Sequence, residues 1–299
     1  MFRRGNRIQN GLELTRQSWA ALRANPQLLI FPVISLIGMI IVTILFFIPI
    51  TATGILSSIG EQGRRGSGDI NQGLFFIVMF FYYFVTYTVI IFSNTALVGA
   101  AMRLARGETA TVRDGINIAM ARISKIVVYA LISATIGMIA KSIQQSGRNS
   151  NNIVAAIVSS IIAGIIQGAW NMVVFFAIPV LVVEDIGVMD SLKRSLGLFK
   201  ETWGETFTGN FAIGAVSCLV SALMTVVAVV LIGLAIASKS VALIVLTVVV
   251  VVLAFVAISL INGAINGIFQ ASLYQYATTG DAGKLIDTQL AHDAFLTTG

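Results

Sequence analysis

The chain has 299 residues, is 57% hydrophobic and only 11% charged, with a mean hydropathy of +0.92, whereas a soluble domain carries about 25% charged residues. That excludes a water-soluble globular domain. The net charge of +6 does not point to nucleic acid, because the basic residues flank apolar runs and form no stripe interleaved with aromatics.

Five uncharged runs, 24–60, 70–102, 149–183, 206–238 and 240–280, set the class, since a helical membrane span needs about 20 apolar residues. In chain order, Arg3, Arg4 and Arg7 precede Ile8, Leu12, Trp19 and Leu22 at helical spacing. That spacing predicts an amphipathic helix in the headgroup region, stopped near Pro26. A signal peptide is rejected: the charged region is too long and no small-residue cleavage site follows. Span one is predicted at about 28–50 and span two from about 73 to 103, with an aromatic run including Phe80, Phe81, Tyr82 and Tyr83 suited to the interface and to lipid.

A polar interlude at 107–125 carries a capping-box pattern, Thr111 and Asp114, and the stripe Val112, Ile116, Met120 and Ile123. Span three, about 126–143, lies between Lys125 and Lys141, whose ammonium groups must snorkel to the interface. Span four runs over 153–183 with a kink expected at Pro179. A third interlude, 184–205, places Val188, Leu192, Leu196 and Phe199 on one stripe. Spans five and six are read at about 208–237 and 241–277. Trp19 and Trp203 read as interfacial anchors.

The expected fold is therefore all-α, a polytopic bundle of six transmembrane helices with three cytoplasmic amphipathic helices. With both termini inside, fourteen of the 19 basic residues fall on the inner side, in line with the positive-inside rule. The localisation expected is the cytoplasmic membrane.

Each amphipathic helix precedes a helical hairpin, which suggests a threefold pseudo-repeat within one membrane domain: 8–106, 107–184 and 185–280, with a tail at 281–299. Asn94 lies thirteen residues before Gly107, Asn171 thirteen before Glu184, and Asn266 fourteen before Gly280. The intramembrane amides are Asn94, Gln167, Asn171, Asn262, Asn266 and Gln270. Gln167 and Asn171, and likewise Asn262, Asn266 and Gln270, recur at i,i+4 and share a helix face. Lipid cannot hydrogen-bond an amide, so these faces should meet protein or water. Two readings are open: interhelical hydrogen bonds that hold the bundle together, or a polar-lined site.

Segments 18–35, 95–108 and 271–280, with the pattern Trp170, Pro179, Glu184, then Lys193, Arg194, Ser195 and Trp203-Gly204, resemble a prokaryotic family of integral membrane proteins of unknown function. That family is in turn distantly similar to the membrane domain attached to some glycerophosphodiester phosphodiesterases. The resemblance implies a six-span bundle in a prokaryotic membrane and no activity.

One cysteine and one histidine, Cys218 and His292, give no disulfide, no thiolate metal cluster and no Cys–His nucleophile. Enzymatic activity, a metal and a cofactor are not expected. The primary reading is a non-catalytic scaffold or subunit of a membrane assembly, docking through its interfacial helices. The alternative is a transporter or lipid-handling protein with an amide-lined interior. Expected partners are membrane lipids, further copies of the chain or other membrane subunits, and not nucleic acid.

Overall fold

The structure, a computed structural model, describes residues 4–52, 69–148, 152–203, 212–289 and 291, and all its regular elements there are helical. Helix α1 spans Arg4–Ala24, followed by a 3-10 turn at Pro26–Leu29 and α2 at Ile30–Ala52. Then come α3 (Asp69–Ala105), α4 (Val112–Ala121), α5 (Ile123–Arg148), α6 (Ile153–Val174) and α7 (Ala177–Val183). Helices α8 (Val188–Trp203), α9 (Ala212–Ala237) and α10 (Val241–Thr279) complete the order. Among the described residues, five segments are long and apolar enough to cross a bilayer: Pro26–Pro49, Phe76–Ala105, Ile123–Arg148, Ile153–Val183 and Val241–Thr279. In α9 the stretch Ala222–Ala237 is apolar but shorter. The protein is thus an all-helical membrane protein by the length and composition of its helices. The loop at 53–68 and the re-entry at 204–211 lie outside the described residues.

The chain forms two compact units, one of Met1–Pro32, Ala100–Val112 and Lys200–Gly299, the other of Val33–Gly99 and Arg113–Phe199. In the first, α1 packs against α9 and α10. Its buried face is Leu14, Ser18, Ala21 and Leu22. Of the expected stripe, Leu22 lies on this face and Trp19 does not, while the side chains of Ile8 and Leu12 lie outside the described residues; α1 is covered by helices of its own chain and does not simply lie on headgroups. The tail is also part of this unit. Lys284 N–H donates to the carbonyl of Ala105 at 2.9 Å, and Asp287 N–H to Gln17 Oε1 at 2.8 Å. The first of these bonds satisfies one of the carbonyls that the end of α3 leaves open. Gly283 is required there: its φ is +77°, and a Cβ would come within 2.4 Å of that same carbonyl oxygen.

In the second unit α2 and α3 pack through Phe46 and Tyr82, whose rings meet edge-on with centroids 5.7 Å apart. Helices α5 and α6 form the closest pair. The face α5 buries is Ile126, Tyr129, Ala130, Ser133, Ala134, Gly137 and Ala140, mostly small residues that let helix backbones approach. Near the turn, a Cβ on Gly147 would collide with Ser159 Oγ and come within 2.7 Å of the Ala155 carbonyl.

The predicted kink in span four is a complete break. Proline has no N–H to donate to residue i−4, and α6 stops at Val174 while α7 restarts at Ala177 with Pro179 in its first turn. The amide of Phe176 donates instead to Ser195 Oγ at 2.9 Å. Helix α8 buries Val188, Leu192, Ser195, Leu198 and Phe199, close to the stripe read from sequence. In α4 the buried line runs through Gly115 and Ala119, and Met120 and Ile123 are exposed. The stripe is rotated there because Ile118 packs against Gly99, where a Cβ would lie 2.8 Å from it.

Candidate functional site

A cavity of about 250 Å³ opens between α3, α5 and α6, all within one compact unit. Tyr83 and Tyr87 line it from α3, Gly137, Ala140, Lys141 and Gln144 from α5, and Ser160, Ala163, Gly164 and Gln167 from α6. Each helix contributes polar groups one or two turns apart, so they share its face. Two glycines shape the space. A Cβ on Gly137 would sit 3.0 Å from Tyr87 Oη, so this glycine lets the tyrosine hydroxyl approach α5. Gly164 borders open volume, with nothing within 4 Å of the place its Cβ would occupy.

The lining combines an ammonium, three hydroxyls and two carboxamides. It offers donors and neutral acceptors and holds no carboxylate, imidazole or thiol. Among the described residues, no three His, Cys, Asp or Glu side chains lie close enough to share a metal ion.

Of the six intramembrane amides, the structure brings Gln167 to this cavity. Asn171 follows one turn later; Gln167 Nε2 donates to its Oδ1 at a long 3.5 Å. Asn94, Asn171 and Asn266 are exposed on their helices, while Gln167, Asn262 and Gln270 are half-buried. Among the described residues none of the six bonds to another helix. Trp19 is 37% exposed, with the Arg23 guanidinium 5.9 Å from its ring centre, a cation–π distance. Trp203 closes α8, and its side chain lies outside the described residues. Trp170 stacks edge-on against Tyr129, centroids 6.3 Å apart.

Lys141, Tyr83, Tyr87, Gln144 and Ser160 were not among the residues singled out from sequence. Tyr83 reads there as part of a lipid-facing aromatic run and Lys141 as a snorkelling end residue. The signals present were Tyr83 and Tyr87 at i,i+4 and Lys141 and Gln144 at i,i+3.

A second polar cluster lies where α7 ends. Arg122 and Lys125 both converge on Asp185 Oδ1, and Arg194 Nε lies 3.3 Å from Glu184 Oε1. The hydrogen bond from Lys125, aided by the positive charges of Arg122 and Lys125, holds the Asp185 carboxyl below its ordinary range against an opposing effect of burial. Lys125 is thus paired and does not only snorkel. Asp185 has a left-handed backbone, φ +51°. The residues Pro179, Glu184, Arg194 and Ser195 are then parts of one corner: a helix break, an ion pair and a hydroxyl that satisfies the freed amide.

No curated protein matches the chain. Residues 73–284 match a family described only as being of unknown function, DUF6159, and the chain belongs to that family.

Proposed function

We propose that this protein is a non-enzymatic, six-span membrane protein that binds a lipid or other amphiphile in the cavity between α3, α5 and α6. The observation that carries the reading is the cavity itself, a space of about 250 Å³ whose largely apolar wall carries six polar side chains, Lys141 among them, set in helices long enough to cross a bilayer. Polar and ionisable groups at membrane depth are costly and mark ligand pathways by default. The scaffold reading loses ground because the apolar faces of α1 and α8 are buried within their own chain. The proposal includes the prokaryotic cytoplasmic membrane, both termini inside, and the threefold pseudo-repeat. Support for the repeat comes from the backbone: Gly107, Asp185 and Gly280 all have positive φ, each thirteen or fourteen residues after Asn94, Asn171 and Asn266. The distant likeness to phosphodiesterase-associated membrane domains belongs to the same proposal and implies no activity.

The test is native mass spectrometry of the full chain extracted gently from its own membrane. One lipid or small molecule retained at fixed stoichiometry, and lost in Gly164→Leu, supports the reading. Ligand-free protein, or retention unchanged in that variant, refutes it.

A second reading, an assembly subunit, is favoured by the exposure of Asn94, Asn171 and Asn266. Amides turned to lipid would go unsatisfied, whereas a neighbouring subunit would hydrogen-bond them.

A further inference from the structure

We infer that the cavity between α3, α5 and α6 takes an anionic group, a phosphate or carboxylate, with Lys141 as its charge partner. The inference rests on the ligand-binding reading and names the chemistry of the ligand. Lys141 stands seven residues before the end of α5 at Arg148, so about 10 Å of helix separate it from the hairpin turn. Helices α5 and α6 contain no Asp or Glu, and α3 has only Asp69, fourteen residues before Tyr83, about 21 Å along the helix. The three helices that line the cavity therefore bring a cation to it and no anion. Among the described residues Lys141 makes no ion pair or hydrogen bond.

Lys141 is an exposed side chain on the cavity wall, and an ammonium with no counter-charge on its own three helices attracts an opposite charge. The rest of the lining suits an oxyanion, since the hydroxyls of Tyr83, Tyr87 and Ser160 and the amides of Gln144 and Gln167 can all donate. A cationic ligand would be repelled by Lys141, and a neutral one would leave it unpaired.

Size and surroundings argue for a lipid headgroup over a free anion. The volume of 250 Å³ equals that of about eight waters, room for a headgroup and not for its acyl chains. Ile161 and Ile165, each next in sequence to the lining residues Ser160 and Gly164, are 55% and 65% exposed. They offer apolar surface on which a chain can lie beside a bound headgroup.

The experiment titrates purified full-length protein with phosphatidylglycerol, with phosphatidylcholine of the same chains, and with inorganic phosphate, reading occupancy by native mass spectrometry. Wild type is expected to hold one phosphatidylglycerol at least tenfold more tightly than phosphatidylcholine. Lys141→Met should abolish that preference, Lys141→Arg should keep it, and Gly164→Leu should abolish binding of both lipids. If Lys141→Met keeps the wild-type preference while Gly164→Leu loses lipid, the cavity reading stands and the anionic inference is overturned. If Gly164→Leu binds both lipids as wild type does, both fall. Inorganic phosphate held in a Lys141-dependent way, with no lipid held, keeps the anion and overturns the lipid source. Thermal melts and gel filtration of each variant separate these outcomes from misfolding, and if Lys141→Met does not fold, equal binding of the two lipids by wild type still overturns the anionic inference.

Discussion

Ser195 Oγ accepts the backbone N–H of Phe176 at 2.9 Å, and both residues are buried. The bond spans nineteen positions of sequence and lies where the Pro179 ring ends one helix and starts another. Leaving a buried donor unsatisfied costs about 1–3 kcal/mol. Ser195→Ala should therefore lower the melting temperature in detergent by several degrees, with Ser195→Thr recovering part of the loss. An unchanged melt in Ser195→Ala would show that Phe176 N–H has another acceptor.

Asp185 gives the structure an acid-sensitive joint. Its folded pKa is depressed, first by the hydrogen bond from Lys125, so its contribution to stability is complete above the unfolded value of about 3.9. That contribution disappears as pH falls through the lower folded value. Melts of wild type and Asp185→Asn should differ at pH 7 and converge toward pH 3. Asparagine tolerates the left-handed backbone at φ +51°, so the comparison isolates the charge. Curves that stay parallel down to pH 3 would remove Asp185 from the account.

Two glycines of the same hairpin should respond oppositely to alanine. At Gly147 an added methyl meets the fixed carbonyl of Ala155, and overpacking of this kind costs about 1–3 kcal/mol. At Gly164 the methyl meets nothing within 4 Å, and alanine is the better helix former by about 1 kcal/mol. Denaturation in mixed micelles should show Gly147→Ala less stable than wild type and Gly164→Ala equal to it or more stable. The reverse order would mean that α5 and α6 are packed differently.

The exposed amides make a prediction about assembly. If a neighbouring subunit satisfies Asn94, Asn171 and Asn266, replacing all three by leucine should lower the oligomer mass seen by light scattering while each chain stays folded. If instead they serve the bundle itself, the same triple variant loses thermal stability at unchanged mass.

What could be read from sequence followed how local its cause was. Pro179 announces a break because the missing N–H is a property of one residue, although the rescue by Ser195 depends on where α8 packs. The stripe Val188, Leu192, Leu196 and Phe199 was legible because a single helix sets its period, though Leu196 is only half-buried and Leu198 takes its place in the buried face. Gln167 was legible as an amide in an apolar run. Tyr83 and Lys141 were read as lipid-facing or interfacial, and Tyr87 not at all, because the cavity exists only through the mutual register of three helices, which the period of any one of them does not contain. The tail, read from sequence only as 281–299, showed no periodicity for the same reason. Its order comes from Asp281 accepting Gly283 N–H at 2.9 Å and the Thr288 hydroxyl at 2.7 Å, and from contacts with distant helices.

The bond from Asp287 to Gln17 joins residues 270 positions apart, and α1 finds its packing partners in α9 and α10. At about 5–20 residues per second of synthesis, that separation amounts to roughly 14–54 s. For most of that interval α1, with Leu14 and Leu22 on one face, has been made and the helices that cover it, α9 and α10, have not been completed. The packing of α1 therefore waits on translation of the last third of the chain. The α5–α6 hairpin, joined by a short turn, can pair as soon as its second helix is inserted.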